Sequence, residues 1–291
     1  MAMAAMLATG KGGVLVPDTA RPRLDLSGEL LDNALTGLTQ GAEVLGGVER
    51  YVQALQLKSA LFKDLLGEEK YKAIDLDGVM TLSTFMSPVR RRIAPYLDTK
   101  GLALLREGFA ILLDDIRNTA SADQRMKDFC KLFPQDRKHF FVRDLAAEVL
   151  HNFDPERYPL MCRWVWDSKV NTGALREIWF GDEVDHMTID VPDNFEAFIV
   201  LREEICSFLS ARGAFRDLLF HSDLLLAQIY SNYICAQGGS YLRTDFSAPQ
   251  DPMQYTRRLL GLDGVTGEAG RTKLKSIDGK AFVIADMKLL G

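Results

Sequence analysis

The sequence predicts an all-α chain: a single multi-helix domain with a small C-terminal β-hairpin appendage. Three observations carry this. Apolar residues recur every three or four positions from 44 to 236, the spacing of amphipathic helices. Glycine and proline gather toward both ends. Asp278-Gly279 lies between two β-prone runs, a dipeptide suited to a tight hairpin turn. The expected organisation is an irregular N-terminal arm over 1–43, a helical domain over 44–236, and a C-terminal helix plus hairpin over 237–291.

Taken in order, residues 1–40 include Gly10, Gly12, Gly13, Pro17, Pro22, Gly28 and Gly37, with no sustained apolar period, and read as an arm. Val44, Val48, Tyr51, Val52, Leu55, Phe62, Leu65 and Leu66 form one stripe before Gly67. Leu102, Leu105, Phe109, Leu112, Leu113 and Ile116 repeat it between Asp98 and Asn118. Ser121 and Gln124 make a capping box for a helix ending at Pro134. Further helices are predicted over 139–153 and over 194–212, the latter capped by Asp193 with Glu196. The run 214–236 follows, and its wide apolar stripe marks it as the most buried helix. Asp251-Pro252 opens a last helix to Leu260.

Composition narrows the function. With 47% apolar and 26% charged residues the chain can build a core, and no apolar run approaches the roughly 20 residues that cross a bilayer. A net charge of −5 gives no general attraction to nucleic acid. Cys130, Cys162, Cys206 and Cys235 lack metal-site spacing and sit among apolar neighbours, and no basic segment precedes an apolar leader, so a cytoplasmic protein is expected. No cofactor is implied.

The densest unusual segment is 157–179. It contains all three tryptophans, Trp164, Trp166 and Trp179, interleaved with Arg157, Arg163 and Arg176. Tryptophan and arginine anchor interfaces because they combine large rigid area with directional donors. On a helix Trp164 and Trp166 diverge by about 200°, leaving one of them outside the core. These residues, with the glycine-rich ends of the chain, are therefore read as a surface for another protein, and the leading function is a non-catalytic interaction or regulatory protein.

Two alternatives remain. Glu148-x-x-His151 and Glu183-x-x-His186 resemble the Glu-x-x-His pairs of di-iron carboxylate four-helix proteins, which would imply a metal-dependent enzyme. The stripe Val142, Leu145, Ala146, Val149, Leu150 and Phe153 turns Glu148 about 130° and His151 about 170° from the core, toward solvent. Acid–base chemistry has one further candidate, His221 with Asp223. The acidic loop 182–193 reads as solvated. A local nucleic-acid binder is the second alternative, resting on basic clusters at 90–92, 131–138 and 257–258 that read as solvated helix faces.

Overall fold

A computed structural model describes residues 21–181, 186–241 (backbone only from 238), 251–266, 270–274 and 282–284. Its architecture is all-α. Helices α1 (Gly28–Ala42), α2 (Val48–Leu66), α3 (Leu76–Thr84), α4 (Ser87–Arg90), α5 (Thr99–Leu113), α6 (Ala122–Lys131), α7 (Phe141–Phe153), α8 (Ala174–Glu177), α9 (Phe195–Ala211), α10 (Leu218–Tyr241) and α11 (Pro252–Leu259) share one hydrophobic core. Two helices act as hubs. Helix α10 packs on α1, α2, α8, α9 and α11, while α7 packs on α2, α4, α5 and α6, so α2 touches both.

Residues 28–42, expected to be irregular, form α1. Ser27 caps it by accepting from the Leu30 N–H, and Leu31, Ala34, Leu38 and Ala42 are buried. The stripe is built partly from small residues and interrupted by Gly37 and Gly41, so the apolar period is weak in sequence. Residues 1–20 lie outside the described residues.

Several helix starts use caps other than those predicted. Ser121 makes no cap bond; its hydroxyl donates to the Asn118 carbonyl and accepts from Arg125 Nε. Asn194, not Asp193, accepts from the Ala197 N–H at 3.0 Å, because Asp193 is held by Arg143 at 2.5 Å. Asp251 caps α11 as its sequence indicates.

The β appendage is small. β1 (Val265–Thr266) pairs antiparallel with β2 (Arg271–Thr272), Val265 opposite Thr272. The Thr272 N–H donates to the Phe282 carbonyl and the Ile284 N–H to the Gly270 carbonyl, each at 3.0 Å, so a third segment lies beside β2. The predicted Asp278-Gly279 turn falls outside the described residues.

The most thoroughly buried helix is α7, not α10. Within 141–152 only Arg143 is more than slightly exposed, whereas Phe215, just before α10, is 79% exposed. The polar face of α7 is covered as completely as its apolar one. Glu148 Oε2 takes the Lys58 Nζ of α2 at 2.8 Å and the Asn152 amide at 2.9 Å, and Lys58 also donates to the Leu260 carbonyl beyond α11. Ser59 donates to the Asn152 carbonyl at 2.9 Å. Both charged members are buried, so each depends on the other for the interactions that water no longer supplies. Replacing Glu148 alone by Leu strands the Lys58 ammonium and is expected to destabilise the fold by about 3–5 kcal/mol. Adding Lys58→Met should restore most of the loss. Urea unfolding of both variants checks this, and single-variant losses below about 1 kcal/mol refute it.

Candidate functional site

The structure divides the tryptophan–arginine segment. Residues 154–173 are irregular, so the helical divergence of Trp164 and Trp166 does not apply. Trp166 is 1% exposed and donates its indole N–H to the Val191 carbonyl at 2.9 Å, which makes it core. Trp179 is half-buried beside Leu26. Arg157 pairs with Asp154, and Arg176 reaches the Met187 carbonyl. Arg163 and Trp164 have a different setting.

They line a cavity of about 430 Å³ with Ser87, Pro88, Arg91, Arg92, Phe141, Asp144, Asp167, Val170, Thr172, Tyr230, Arg258 and Leu259. Each part of the wall has a local cause. Pro88 sits in the first turn of α4, where its missing N–H is harmless, and this short helix sends Arg90 inward to Asp263 at 2.8 Å. Arg91 and Arg92, just beyond its end, are exposed. Asp263 is held below the usual carboxylate range: burial opposes ionisation, but Lys273 and Arg90 outweigh it. Arg258 arrives from α11, which follows α10 into the same wall.

Asp144 on α7 fixes the opposite side. Its carboxylate accepts the Arg163 backbone N–H at 2.9 Å, Nε at 3.2 Å and Nη2 at 2.9 Å, a forked grip that also lays the guanidinium over the Phe140 ring. The Trp164 carbonyl accepts the Ala174 N–H at 2.9 Å, anchoring the indole behind a turn in which Asp167 and Thr172 exchange backbone hydrogen bonds. Gly173 closes that turn at φ 133°, where a side chain would meet the Val165 carbonyl. Trp164 packs on Tyr230 with ring centroids 6.3 Å apart, and Tyr230 stacks on Tyr233. Burial raises the Tyr230 hydroxyl above its ordinary pKa, aided by Tyr233 and Glu177, so it remains a neutral donor. The Trp164 indole N–H is buried and finds no acceptor among the described residues.

Charge is unbalanced here. Four arginines face two aspartates in the lining, and Asp144 is already committed to Arg163. Among the described residues Arg91, Arg92 and Arg258 have no ion-pair or hydrogen-bond partner for their guanidiniums. The basic clusters at 90–92 and 257–258, expected to be separate solvated faces, thus send three cations to one cavity. Sequence displayed the clusters but not their convergence, because residues 92 and 258 meet only through the packing of α4, α10 and α11.

The Glu-x-x-His pairs fare differently. Glu148 and His151, expected to face solvent, are buried, since α2 and α10 cover the side of α7 that the wheel left open. His151 Nδ1 lies 2.9 Å from the Tyr158 carbonyl, and Nε2 lies 3.1 Å from Asp223 Oδ2 of α10, an ion-pair contact off the line of a hydrogen bond. Asp223 thereby has a partner other than the neighbouring His221, whose Nδ1 lies 3.1 Å from the Asp217 carbonyl. Glu183 lies outside the described residues and His186 is exposed. Among the described residues no group of three or more His, Cys, Asp or Glu side chains has metal-site geometry. Of the acidic loop, Asp190 is exposed and Asp193 is paired with Arg143. The Cys162 thiol is pushed well above its ordinary pKa by burial and by Glu148 and Asp144, so it is held as an unreactive thiol.

The chain matches no protein-family model, no curated protein and no solved structure. No described helix is long and apolar enough to cross a membrane.

The His151 contact has a pH signature. Burial disfavours the imidazolium, but Asp223, the Tyr158 carbonyl and Glu148 favour it, and the balance raises the pKa above 6.5. Below about pH 6.5 the ring is protonated folded or unfolded, and its contribution to stability is fully present. That contribution disappears as pH rises through the folded-state pKa. The unfolding free energy should therefore fall above about pH 6.5, and His151→Gln should flatten that fall. An unchanged pH slope in the variant, measured by urea titration, excludes this assignment.

Proposed function

We propose that the protein is a non-catalytic recognition protein, regulatory in character, that grips an anionic group on another protein through the cavity between α4, α7, α10 and α11. The observation that carries this is the arrival of three arginines without carboxylate partners among the described residues, Arg91, Arg92 and Arg258, at a cavity lined also by Phe141, Trp164 and Tyr230. Surface arginines alone are ordinary. Their grouping from two distant stretches of sequence around an aromatic concavity is the arrangement that ligand sites use, and about 430 Å³ falls in the range of roughly 300–1,000 Å³ typical of such sites.

The reading narrows the sequence-level surface. Arg163 and Trp164 belong to it, Arg163 as a positioned wall held by Asp144 and Trp164 as an aromatic anchor. Trp166 supports it from the core, while Arg157, Arg176 and Trp179 stand outside the lining. Four free cysteines agree with a reducing compartment, the cytoplasm.

A panel of small anions added to the full chain tests the reading by thermal shift. At 100 times its Kd a bound anion stabilises the fold by about 2.7 kcal/mol, a shift of several degrees. At least one carboxylate or phosphate should raise Tm in the wild type and fail to do so in Arg91→Ala and Arg258→Ala. Indifference of the wild type to every anion, or equal shifts in the variants, rejects it.

A further inference from the structure

Within that reading of the cavity, the same wall shows what one carboxylate requires. Asp144 is satisfied by a single arginine: the Arg163 fork supplies two side-chain donors, and its backbone N–H a third. Three further guanidiniums remain, each with a full set of donors, for an occupant that arrives from outside. A second carboxylate offers two oxygens and one negative charge, and one Arg fork can meet it. A phosphate monoester offers three terminal oxygens and a charge of about −1.5 to −2 at neutral pH. The lining's excess of two positive charges, four arginines against Asp144 and Asp167, matches the second occupant.

The remaining wall constrains what carries the phosphate. Phe141, Trp164 and Tyr230 make the aromatic part of the lining, Tyr230 only partly buried while Phe141 and Trp164 are 2% and 7% exposed, and Trp164 and Tyr230 lie at 32° to each other, backed by Tyr233. Flat rings pack against such walls in offset or edge-on contact, whereas a bare serine phosphate or an inorganic ion leaves that surface uncovered. Arginine planes stack on rings as well as bind phosphate, so Arg91, Arg92 and Arg258 suit both halves of one ligand.

We infer that the cavity takes a phosphate monoester borne on an aromatic ring, with Arg91, Arg92 and Arg258 on the phosphate and Phe141, Trp164 and Tyr230 around the ring. This inference rests on the anion-recognition reading. A phosphorylated tyrosine side chain of a partner supplies this chemistry, and the proposed function favours it; a nucleoside monophosphate, whose phosphate sits on the ribose and not on the ring, does not.

Calorimetric titration of the full chain decides it, using phenyl phosphate, phenyl sulfate, benzoate and inorganic phosphate as probes. Phenyl sulfate has nearly the same shape with one negative charge. Phenyl phosphate should bind at least tenfold more tightly than phenyl sulfate, benzoate or inorganic phosphate. Its affinity should rise severalfold from pH 5 to pH 7.5 as the second phosphate proton, with a pKa of about 6, is lost. Arg91→Ala, Arg92→Ala and Arg258→Ala should each weaken it about tenfold or more, while Arg117→Ala, an exposed arginine outside the lining, should not. Benzoate or phenyl sulfate binding as tightly as phenyl phosphate, or full affinity in the arginine variants, overturns the inference. Arginine-dependent binding of benzoate alone overturns it while leaving the anion pocket standing; binding of no anion removes both. A phosphotyrosine peptide and adenosine monophosphate separate ring-borne from ribose-borne phosphate. Tighter peptide binding supports the partner assignment, and tighter nucleotide binding overturns the ring-borne phosphate, since the nucleotide carries its phosphate on the ribose.

Discussion

Everything in this fold leans on the burial of charge around α7. A helix that carries Asp144, Glu148, His151 and Asn152 on one side can be enclosed only if every one of those groups meets a partner, because an unpaired buried ion forfeits several kcal/mol of hydration. The partners come from separate parts of the chain: Arg163 from the following loop, Lys58 from α2 and Asp223 from α10. Each pair fixes one neighbour's rotation and height against α7. Lys58 reaches one step further, to the Leu260 carbonyl, and so registers α11 as well. Apolar packing supplies most of the driving force, but it is tolerant of sliding; the ion pairs are not.

That registration is what makes the cavity. Helix α11 is joined to α10 by Thr256, whose hydroxyl lies 3.0 Å from Gln228 Oε1 and 3.1 Å from the Ser231 hydroxyl, both buried. Where α11 ends, Gly261 takes φ 73° and passes so close to the Phe85 carbonyl that any side chain would collide with it. The end of α3 and the end of α11 are therefore in backbone contact, and Arg258 is brought to the same wall as Arg91 and Arg92. Asp263 holds Arg90 and Lys273 in ion pairs, and neither of these cations belongs to the cavity lining.

The site residues differ in how far the sequence discloses them. Arg163 and Trp164 stand out by composition, and the basic clusters at 90–92 and 257–258 are visible on inspection. Phe141 and Tyr230 are not, since each belongs to an apolar stripe like any other. Trp166 misleads because helical spacing does not apply to it; in an irregular segment side chains two apart can both be buried. Glu148 and His151 mislead for the opposite reason. The wheel correctly separates their face from the apolar one, yet the polar face is covered too, by partners whose positions no local periodicity encodes.

By itself the sequence determined the all-α class, the places of α2, α5, α6, α7, α9, α10 and α11, and the presence of a β element near the C-terminus, because apolar period, caps and turn residues act over a few positions. Helix α1 was hidden by its small residues and glycines, and short α3, α4 and α8 by having too few turns to show a period. Tertiary structure alone decided that α7 is enclosed on all sides, that His151 meets Asp223, and that three arginines without a partner among the described residues share one cavity. Those outcomes depend on contacts such as Lys58 with Glu148, 90 residues apart, and a one-dimensional pattern holds no record of which distant charge will neutralise which.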